Sequence, residues 1–523
     1  MMAERRAKGQ REKKKKVGRP LELPTVGDAE FLSSTHGSTF LVTNRHGDIV
    51  PPGARELGLF RRDTRHLSHL ALTIVRGELV HLSSDSAGEV VNQVDLMVSD
   101  VEDAEFLDDP KNFLHIRRRQ FLDVAFVEEI TLTNYLTHAV EISLEIAFAA
   151  DFADIFEVRG ARRPRRGTYR EPKIVGSSVV FEYQGLCGDS YVTTVAFDPP
   201  PKTLAADRAS FKMRFEADEV HRIVVEVQCG NETSKPRART KRETVEKRVA
   251  NLERNAAAQR AKCTAFSCDD PLLARVLERS SADVHTLNVD LGPRRIIGAG
   301  IPWFCSPFGR DSLLTAYSLL TYSPEFAVDA LRTLAAYQGK RFRDETEEEP
   351  GKIFHELRFG EMTKAGETPH SPYYGSADAT PLFVVLADAA YDVLGDLALV
   401  RELRPAIVAA LKWIDVRSSS GKRLVTYERR TPRGIENQCW KDSRAGVSAP
   451  DGTRAKAPVA ICEIQGYCID AYLRGARLLG ALGERVLLLL ELDEQLVTLD
   501  PVSVAVHFRR DSGRCDGRQE PVR

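Results

Sequence analysis

The chain reads as an α+β protein of several domains, an antiparallel β-sandwich followed by a helical array, and three observations predict this. At 523 residues it exceeds what one hydrophobic core usually supports. Between about Thr39 and Val227 the apolar residues alternate, as in Val127-Glu-Glu-Ile-Thr-Leu-Thr133 and Glu141-Ile-Ser-Leu-Glu-Ile-Ala-Phe148, with turn formers between the runs. After Asp270 the apolar period lengthens to three- and four-residue steps.

The elements follow in order. Residues 1–25, with Lys13, Lys14, Lys15 and Lys16 and few apolar side chains, read as a disordered basic tail in solvent; nucleic-acid contact through it is the weaker reading, and no nucleic-acid partner is expected. Residues 26–230 form the sandwich. Two of its loops are polar, Gly58-Leu-Phe-Arg-Arg-Asp-Thr-Arg65 and residues 151–160. Their Asp and Arg residues either pair with each other, the favoured reading because guanidinium forks match carboxylates, or reach toward a ligand in the next domain. Residues 231–268 read as a solvated linker helix with opposite charges at Glu243, Glu246, Lys247 and Glu253. A helical domain over 269–483 is predicted from apolar steps at 271–288, 310–320, 324–337, 381–394, 400–414 and 459–479, with prolines at several first turns. Beyond Gly483 the period is lost, so 484–523 read as an atypical tail.

Composition removes several classes. Lys and Arg number 74 against 75 Asp and Glu, so no bulk charge draws the chain to a polyanion. No apolar run has signal-peptide or bilayer length, which predicts a cytoplasmic protein with no membrane partner. Nine cysteines form no CxxC pair, against a disulfide scaffold or zinc ribbon, and most are expected to be buried thiols. The Asn231-Glu-Thr233 triplet matches a glycosylation sequon that this compartment would leave unused. His355-Glu-Leu-Arg-Phe359 lacks the second histidine of a zinc-protease helix, no phosphate loop or dinucleotide fingerprint occurs, and the acidic run 344–349 lacks the glycine and spacing of a calcium loop and reads as solvated. Neither metal nor cofactor is expected.

Four polar blocks carry the chemistry: residues 303–312, 349–361, 372–381 and 437–443. Each sets acidic residues among aromatic and turn-forming residues, the makeup of a sugar pocket. Glycoside hydrolysis needs a protonated carboxyl group for the leaving oxygen and a second carboxylate, ~6.5 to 9.5 Å away in an inverting pair. Asp442, just after Trp440, fits the donor, whose pKa an aromatic wall would raise; the alternative is a turn or N-cap aspartate bonded to Ser443 and Asn437. Asp311 either caps the helix after it or grips a sugar diol. Trp303, Phe304 and Phe308 offer flat faces to a sugar ring, or core. Glu356, Arg358 and Glu361 form either a polar network beside the pocket or a surface ion-pair set.

At these positions the chain resembles the bacterial glycogen-debranching, amylo-alpha-1,6-glucosidase family of (α/α)6-barrel glycosidases. The resemblance is carried by Gly47-Asp-Ile49 and residues 58–65 in the β part. In the helical part it is carried by Gly300-Ile-Pro-Trp-Phe304, Phe308-Gly-Arg-Asp-Ser312, Pro350-Gly-Lys-Ile353, His355-Glu356, Tyr373-Tyr-Gly375, Asp378-Ala-Thr-Pro-Leu-Phe383, Trp440-Lys-Asp-Ser443 and Glu463-Ile-Gln-Gly-Tyr467. It implies a six-hairpin toroid and an inverting hydrolase that removes α-1,6-linked glucose from the branch stubs of an α-glucan or oligosaccharide. Asp442 would be the general acid, with Arg310 and Asp311 gripping the terminal glucose. Trp303, Phe308, His355, Glu356, Arg358, Tyr374, Asp378, Trp440, Lys441, Glu463 and Gln465 would complete the pocket.

The chain departs from the family pattern in three places. Cys439 replaces the usual glycine before the tryptophan of the acid motif, and residues 417–423 replace an acidic, glycine-rich turn. About half of twelve barrel helices precede Gly483, and no counterpart of the catalytic base follows it. The expectation is therefore an incomplete barrel with a frame-shifted tail, in which activity is impaired. A non-catalytic glucan-binding remnant, or a trehalase-like α-glucosidase of the same fold, is the alternative. Oligomeric state is left open.

Overall fold

The alternating runs of the first half become strands with one buried face. A computed structural model describes residues 31–50, 56–75, 77–86, 90–99, 114–230, 243–418 and 424–484, with the backbone of 486–492 and 504–510. The basic tail and the Asn231 sequon lie outside these residues.

Eight strands make the larger antiparallel sheet. These are β6 (Glu78–Asp85), β7 (Val91–Ser99), β8 (Leu114–Leu122), β9 (Phe126–Asn134), β11 (Thr168–Val175), β12 (Ser178–Gln184), β13 (Ser190–Asp198) and β16 (Val220–Gly230), in the order β11-β12-β13-β16-β9-β8-β7-β6. Two four-stranded sheets oppose it. One runs β1 (Phe31–His36), β2 (Thr39–Asn44), β3 (Gly58–Arg61), β4 (Thr64–Leu67); the other runs β14 (Thr203–Leu204), β15 (Arg208–Phe215), β10 (Val140–Ala149), β5 (His69–Ile74). Period-two burial, as at Val179, Phe181 and Tyr183 of β12, points one face inward. Leu96, Ile116, Leu132 and Val225 of the large sheet share a core with Leu41, Leu59, Leu72 and Leu144 of the small ones.

Both polar loops proved to be structured. Residues 58–65 are the β3–β4 hairpin, whose turn places Arg62 at φ 47° and Asp63 at φ 65°, the left-handed region that hairpin turns demand and that side chains disfavour. Residues 151–160 contain the one-turn helix α1 (Ile155–Val158), capped by Asp154. The alternation signal is weak here because each segment is too short to show a period. Structural pairing, the favoured reading of these loops, is what the residues show. Arg65 pairs bidentately with Asp151, while Asp63 and Asp154 reach across to the helical part.

The helix α2 (Val245–Arg260) is not the solvated linker expected from its charges. Val245 and Val249 are buried against Val91, Phe121 and Val127 of the large sheet, and Arg248 grips Asp123 at 2.8 and 2.7 Å and Glu226 at 2.8 Å. Two valines four residues apart are enough to dock a helix whose other faces are charged.

The helical part contains α3 (Pro271–Thr286), α4 (Gly309–Ser318), α5 (Glu325–Ala336), the single turn α6 (Glu361–Lys364), α7 (Ala379–Leu394), α8 (Leu397–Ser418) and α9 (Cys462–Ala481). Asp270 caps α3 ahead of Pro271, and Gly395, at φ 62°, ends α7. α7 is apolar over most of its surface because α4, α8 and α9 pack around it. Gly475 lets α9 meet Leu411 of α8, since a β-carbon there would stand 2.7 Å from its methyl. Absent from the helical periodicity is a three-stranded sheet, β17 (Asn288–Leu291), β18 (Arg294–Gly300) and β19 (Phe304–Pro307), which leads the chain into α4. In the region read as an atypical tail, β20 (Val486–Leu492) pairs antiparallel with β21 (Val504–Arg510). Six helices of ten residues or more follow Asp270 among the described residues.

The expectation of mostly buried thiols is corrected. Of the eight described cysteines, all free, only Cys439 and Cys468 are buried.

Candidate active site

Gly309 fixes the first turn of α4. Its amide donates to the His355 carbonyl at 2.9 Å, and a β-carbon would meet the Phe354 carbonyl oxygen at 2.1 Å, so only glycine lets the helix start so close to this segment. The next residue, Arg310, is thereby aimed along a set line. One guanidinium nitrogen donates to Asp378 Oδ2 at 3.1 Å and another to Asp442 Oδ2 at 2.8 Å. Asp378, the residue before α7, is wholly buried and also accepts from Ser376 Oγ; the Asp442 side chain is 42% exposed. Arg310 therefore anchors inside and presents Asp442 outside.

Asp442 does not take the local capping role. Asn437 donates instead to the Ser443 carbonyl at 2.7 Å. The loop carrying Asp442 is held to α7 by the Ala377 amide donating to Gln438 O at 2.8 Å. Cys439, in place of glycine, is buried, has no positive φ and lies 3.7 Å from the Tyr427 hydroxyl, so the loop accepts its side chain. Asp311 stands half-buried in the first turn of α4, where Phe308 and not Asp311 is the cap residue. Among the described residues the Asp311 carboxylate has no hydrogen-bond partner.

Trp440, Lys441 and Glu463 form the outer edge. Glu463 Oε1 accepts from the Trp440 indole at 3.1 Å and lies 3.5 Å from the Lys441 ammonium, which sits 4.9 Å from the Trp440 ring centre. Hydrogen bonds from the Cys462 thiol, its own amide and Trp440 hold the Glu463 carboxyl down to about 2. Trp440 remains half exposed. Tyr467, one turn further along α9, is within electrostatic reach of Asp378, Glu463 and Arg310, a placement that its four-residue spacing from Glu463 foretells.

Behind Arg310 the wall is buried. Phe308 meets Phe304 and His355 edge to face, with ring centres 5.6 Å apart in both pairs. His355 is buried with Nδ1 unpaired, and burial lowers its pKa, favouring the neutral ring. Glu356 and Arg358 are not a surface pair: both are buried. Arg358 donates to Glu356, to Asp63 Oδ1 of the β3–β4 turn at 2.8 Å and to the Trp303 carbonyl at 2.7 Å, and covers the Phe308 ring at 5.5 Å. Burial alone would raise Glu356, but Arg358, His370 and His355 bring it down to about 2. Glu361 belongs to a different cluster, with Arg163 at 2.8 Å and Tyr183 at 2.9 Å.

Three residues assigned to the pocket by resemblance are occupied elsewhere. Gln465 is hydrogen-bonded at both ends to the Val425 backbone and also to Ile461 O. Tyr374 is buried with its hydroxyl on the Tyr337 carbonyl at 2.7 Å. Trp303 packs on the sandwich core with Arg159 5.8 Å from its ring centre.

The acidic run 344–349, read as a solvated loop, is solvated only in its first half: Asp344 and Glu345 are exposed. Glu347, Glu348 and Glu349 are buried. Glu347 binds the Arg430 amide at 2.8 Å and the Gln438 side chain, and Glu349 binds Trp413 at 2.7 Å together with Arg417 and Arg430. Through Gln438 this run braces the Asp442 loop. Its partners lie about 65 to 90 residues away, which is why local charge spacing conceals them.

The seam between the parts carries a pH-sensitive group. Asp154 accepts from Phe156 N at 3.0 Å and Met362 N at 2.9 Å, and burial pushes its carboxyl up to about 7. Since the unfolded value is about 3.9, the folded protein retains a proton between roughly pH 4 and pH 7 that the unfolded chain releases. The Asp154 contribution is then fully present below pH 4 and lost as pH rises through 7. Urea midpoints measured from pH 4 to pH 8 should decline less in Asp154→Asn than in the parent; parallel profiles would contradict the assignment.

Residues 35–226 match the family model described as the N-terminal domain of (some) glycogen debranching enzymes. No curated protein matches the chain. Among solved structures, a protein described as "Putative kojibiose phosphorylase from human microbiome" is similar over 76% of this chain and 59% of its own, with TM-score 0.44 and 11% identity. The chain thus spans 59% of that protein's length. Heparinase III is similar over 31% of this chain and 24% of its own, with TM-score 0.18 and 15% identity. No helix among the described residues is long and apolar enough to cross a membrane.

Proposed function

We propose that the chain is a glycoside hydrolase of debranching type that releases α-1,6-linked glucose from the branch stubs of an α-glucan. One observation carries the reading. Arg310 anchors on buried Asp378 and presents Asp442 at a half-open surface, and its chain neighbour Asp311 carries a carboxylate with no hydrogen-bond partner among the described residues. A carboxylate that accepts two hydrogen bonds from a diol suits the grip on a terminal glucose; Asp442 is the proton donor to the leaving oxygen, and turnover further requires a second carboxylate to take the proton of the attacking water, a role not assigned to a described residue. Trp440 supplies an exposed flat face at the edge. The debranching-type β domain at residues 35–226 supports the substrate class.

A second reading is glucan binding without turnover. It is favoured by the engagement of Asp442 with Arg310 and of Glu463 with Trp440 and Lys441, which leaves Asp311 as the uncommitted carboxylate of the group. Glucose release from an isomaltosyl-branched dextrin, compared with trehalose and a linear maltodextrin, separates the readings. The debranching reading expects release from the branched substrate alone. Trehalose cleavage would move the substrate, and dextrin binding with no release would leave the second reading.

A further inference from the structure

A cavity of about 470 Å³ lies against the sandwich and shares no lining residue with the Arg310 group. Its walls come from the β1–β2 turn, β3, the β8–β9 turn and the end of β16, closed by the β17–β18 turn. The charges lining it do not cancel locally. Asp123 is chelated by Arg248 through both oxygens, at 2.7 and 2.8 Å. Asp290 lies 3.4 Å from Arg295. Arg61 and Arg62 remain. Arg61 donates one hydrogen bond to the Cys229 carbonyl, Arg62 faces only the Phe359 ring at 6.0 Å, and among the described residues neither has a carboxylate within ion-pairing distance. A second, smaller cavity of about 100 Å³ is lined by the same two arginines.

The backbone that presents them is strained. Arg62 and Asp63 both adopt positive φ, where glycine or asparagine is the usual hairpin choice. Asp63 is fixed there by Arg358 and the Phe359 amide. Its neighbour Arg62 is tied through its amide, which donates to the Ser38 carbonyl at 3.0 Å, and the turn places it at the cavity. The hairpin turn accounts for the backbone at Arg62, and what it leaves is an arginine side chain at the cavity wall with no described carboxylate to pair with.

We propose that Arg61 and Arg62 bind the phosphate of a sugar-sized phosphomonoester in this cavity. Two guanidinium groups match a dianion in charge, and their planar forks match its oxygens in pairs. The Ser38 and Thr39 hydroxyls, at the same wall, are suited to the sugar hydroxyls. The volume lies in the range of small-molecule pockets. This site is separate from the hydrolytic reading and stands whether or not glucose is released.

The test is calorimetric titration of the full chain with glucose 1-phosphate, glucose and inorganic phosphate. Saturable, salt-weakened binding of glucose 1-phosphate is expected, reduced roughly 10- to 100-fold in Arg62→Ala. Arg62 is exposed, so this variant should fold with an unchanged unfolding midpoint; Arg61→Gln is the second variant and should weaken binding similarly. Absence of saturable binding at millimolar ligand, or binding unaltered in both variants, would overturn the proposal. Inorganic phosphate binding as tightly as glucose 1-phosphate would overturn its sugar half.

Discussion

Replacing Asp442 with asparagine is expected to reduce glucose release from a branched limit dextrin by about 100- to 10,000-fold, the range attributable to a lost general acid. The substitution keeps the shape of the side chain and an oxygen that can accept from Arg310, so folding and dextrin binding should persist. Half-exposed Asp442 makes no contact on which the core depends. The informative comparison is with Asp311→Asn. If Asp311 grips the terminal glucose, that variant should lose dextrin affinity as well as rate. Equal rates for the parent and Asp442→Asn would remove Asp442 from the chemistry.

The largest effect on stability is expected at Arg358, for which Arg358→Met should cost about 3 to 5 kcal/mol, the range for breaking a buried ion pair from one side. Arg358 and its partner carboxylates Asp63 and Glu356 are all buried, and the arginine also holds the Trp303 carbonyl. Methionine keeps the apolar stem but leaves two carboxylates without their cation. The control is Arg332→Met, whose partner Glu402 and own side chain are about half exposed; such a pair is worth about 0 to 1 kcal/mol. Denaturant unfolding of both variants measures the difference. The Arg358 group also joins the β3–β4 turn to the wall behind Arg310, so Asp63→Asn should raise the dextrin KM through displacement of that wall.

The fold class was legible because each half obeys one period over long runs. β9, β10 and the six long helices that follow Asp270 among the described residues fall on segments whose apolar spacing announces them. Short elements were not legible: the β3–β4 hairpin, α1 and the strands β17 to β19 were hidden among polar and glycine residues. Charge was the least readable feature. Glu347 to Glu349 and Glu356 to Arg358 look solvent-facing in sequence and are buried, because the partners that neutralise them, Arg417, Arg430 and Asp63, lie far along the chain. For the same reason α2 reads as solvated until its two valines meet the large sheet. At the candidate site, the motifs indicated that Arg310, Asp378 and Asp442 belong together, but not the arrangement. That Arg310 joins the two aspartates, and that Gln465 and Tyr374 are tied to backbone, depends on contacts between distant segments.

Proton NMR of the purified chain with an isomaltosyl-branched limit dextrin tests the central claim most directly, because it reads both whether glucose is released and in which anomeric form. The account predicts that glucose appears first as the β-anomer, as inversion at an α-linkage requires, and that the signal is lost in Asp442→Asn. Release of the α-anomer, or no release from a folded chain, would contradict it.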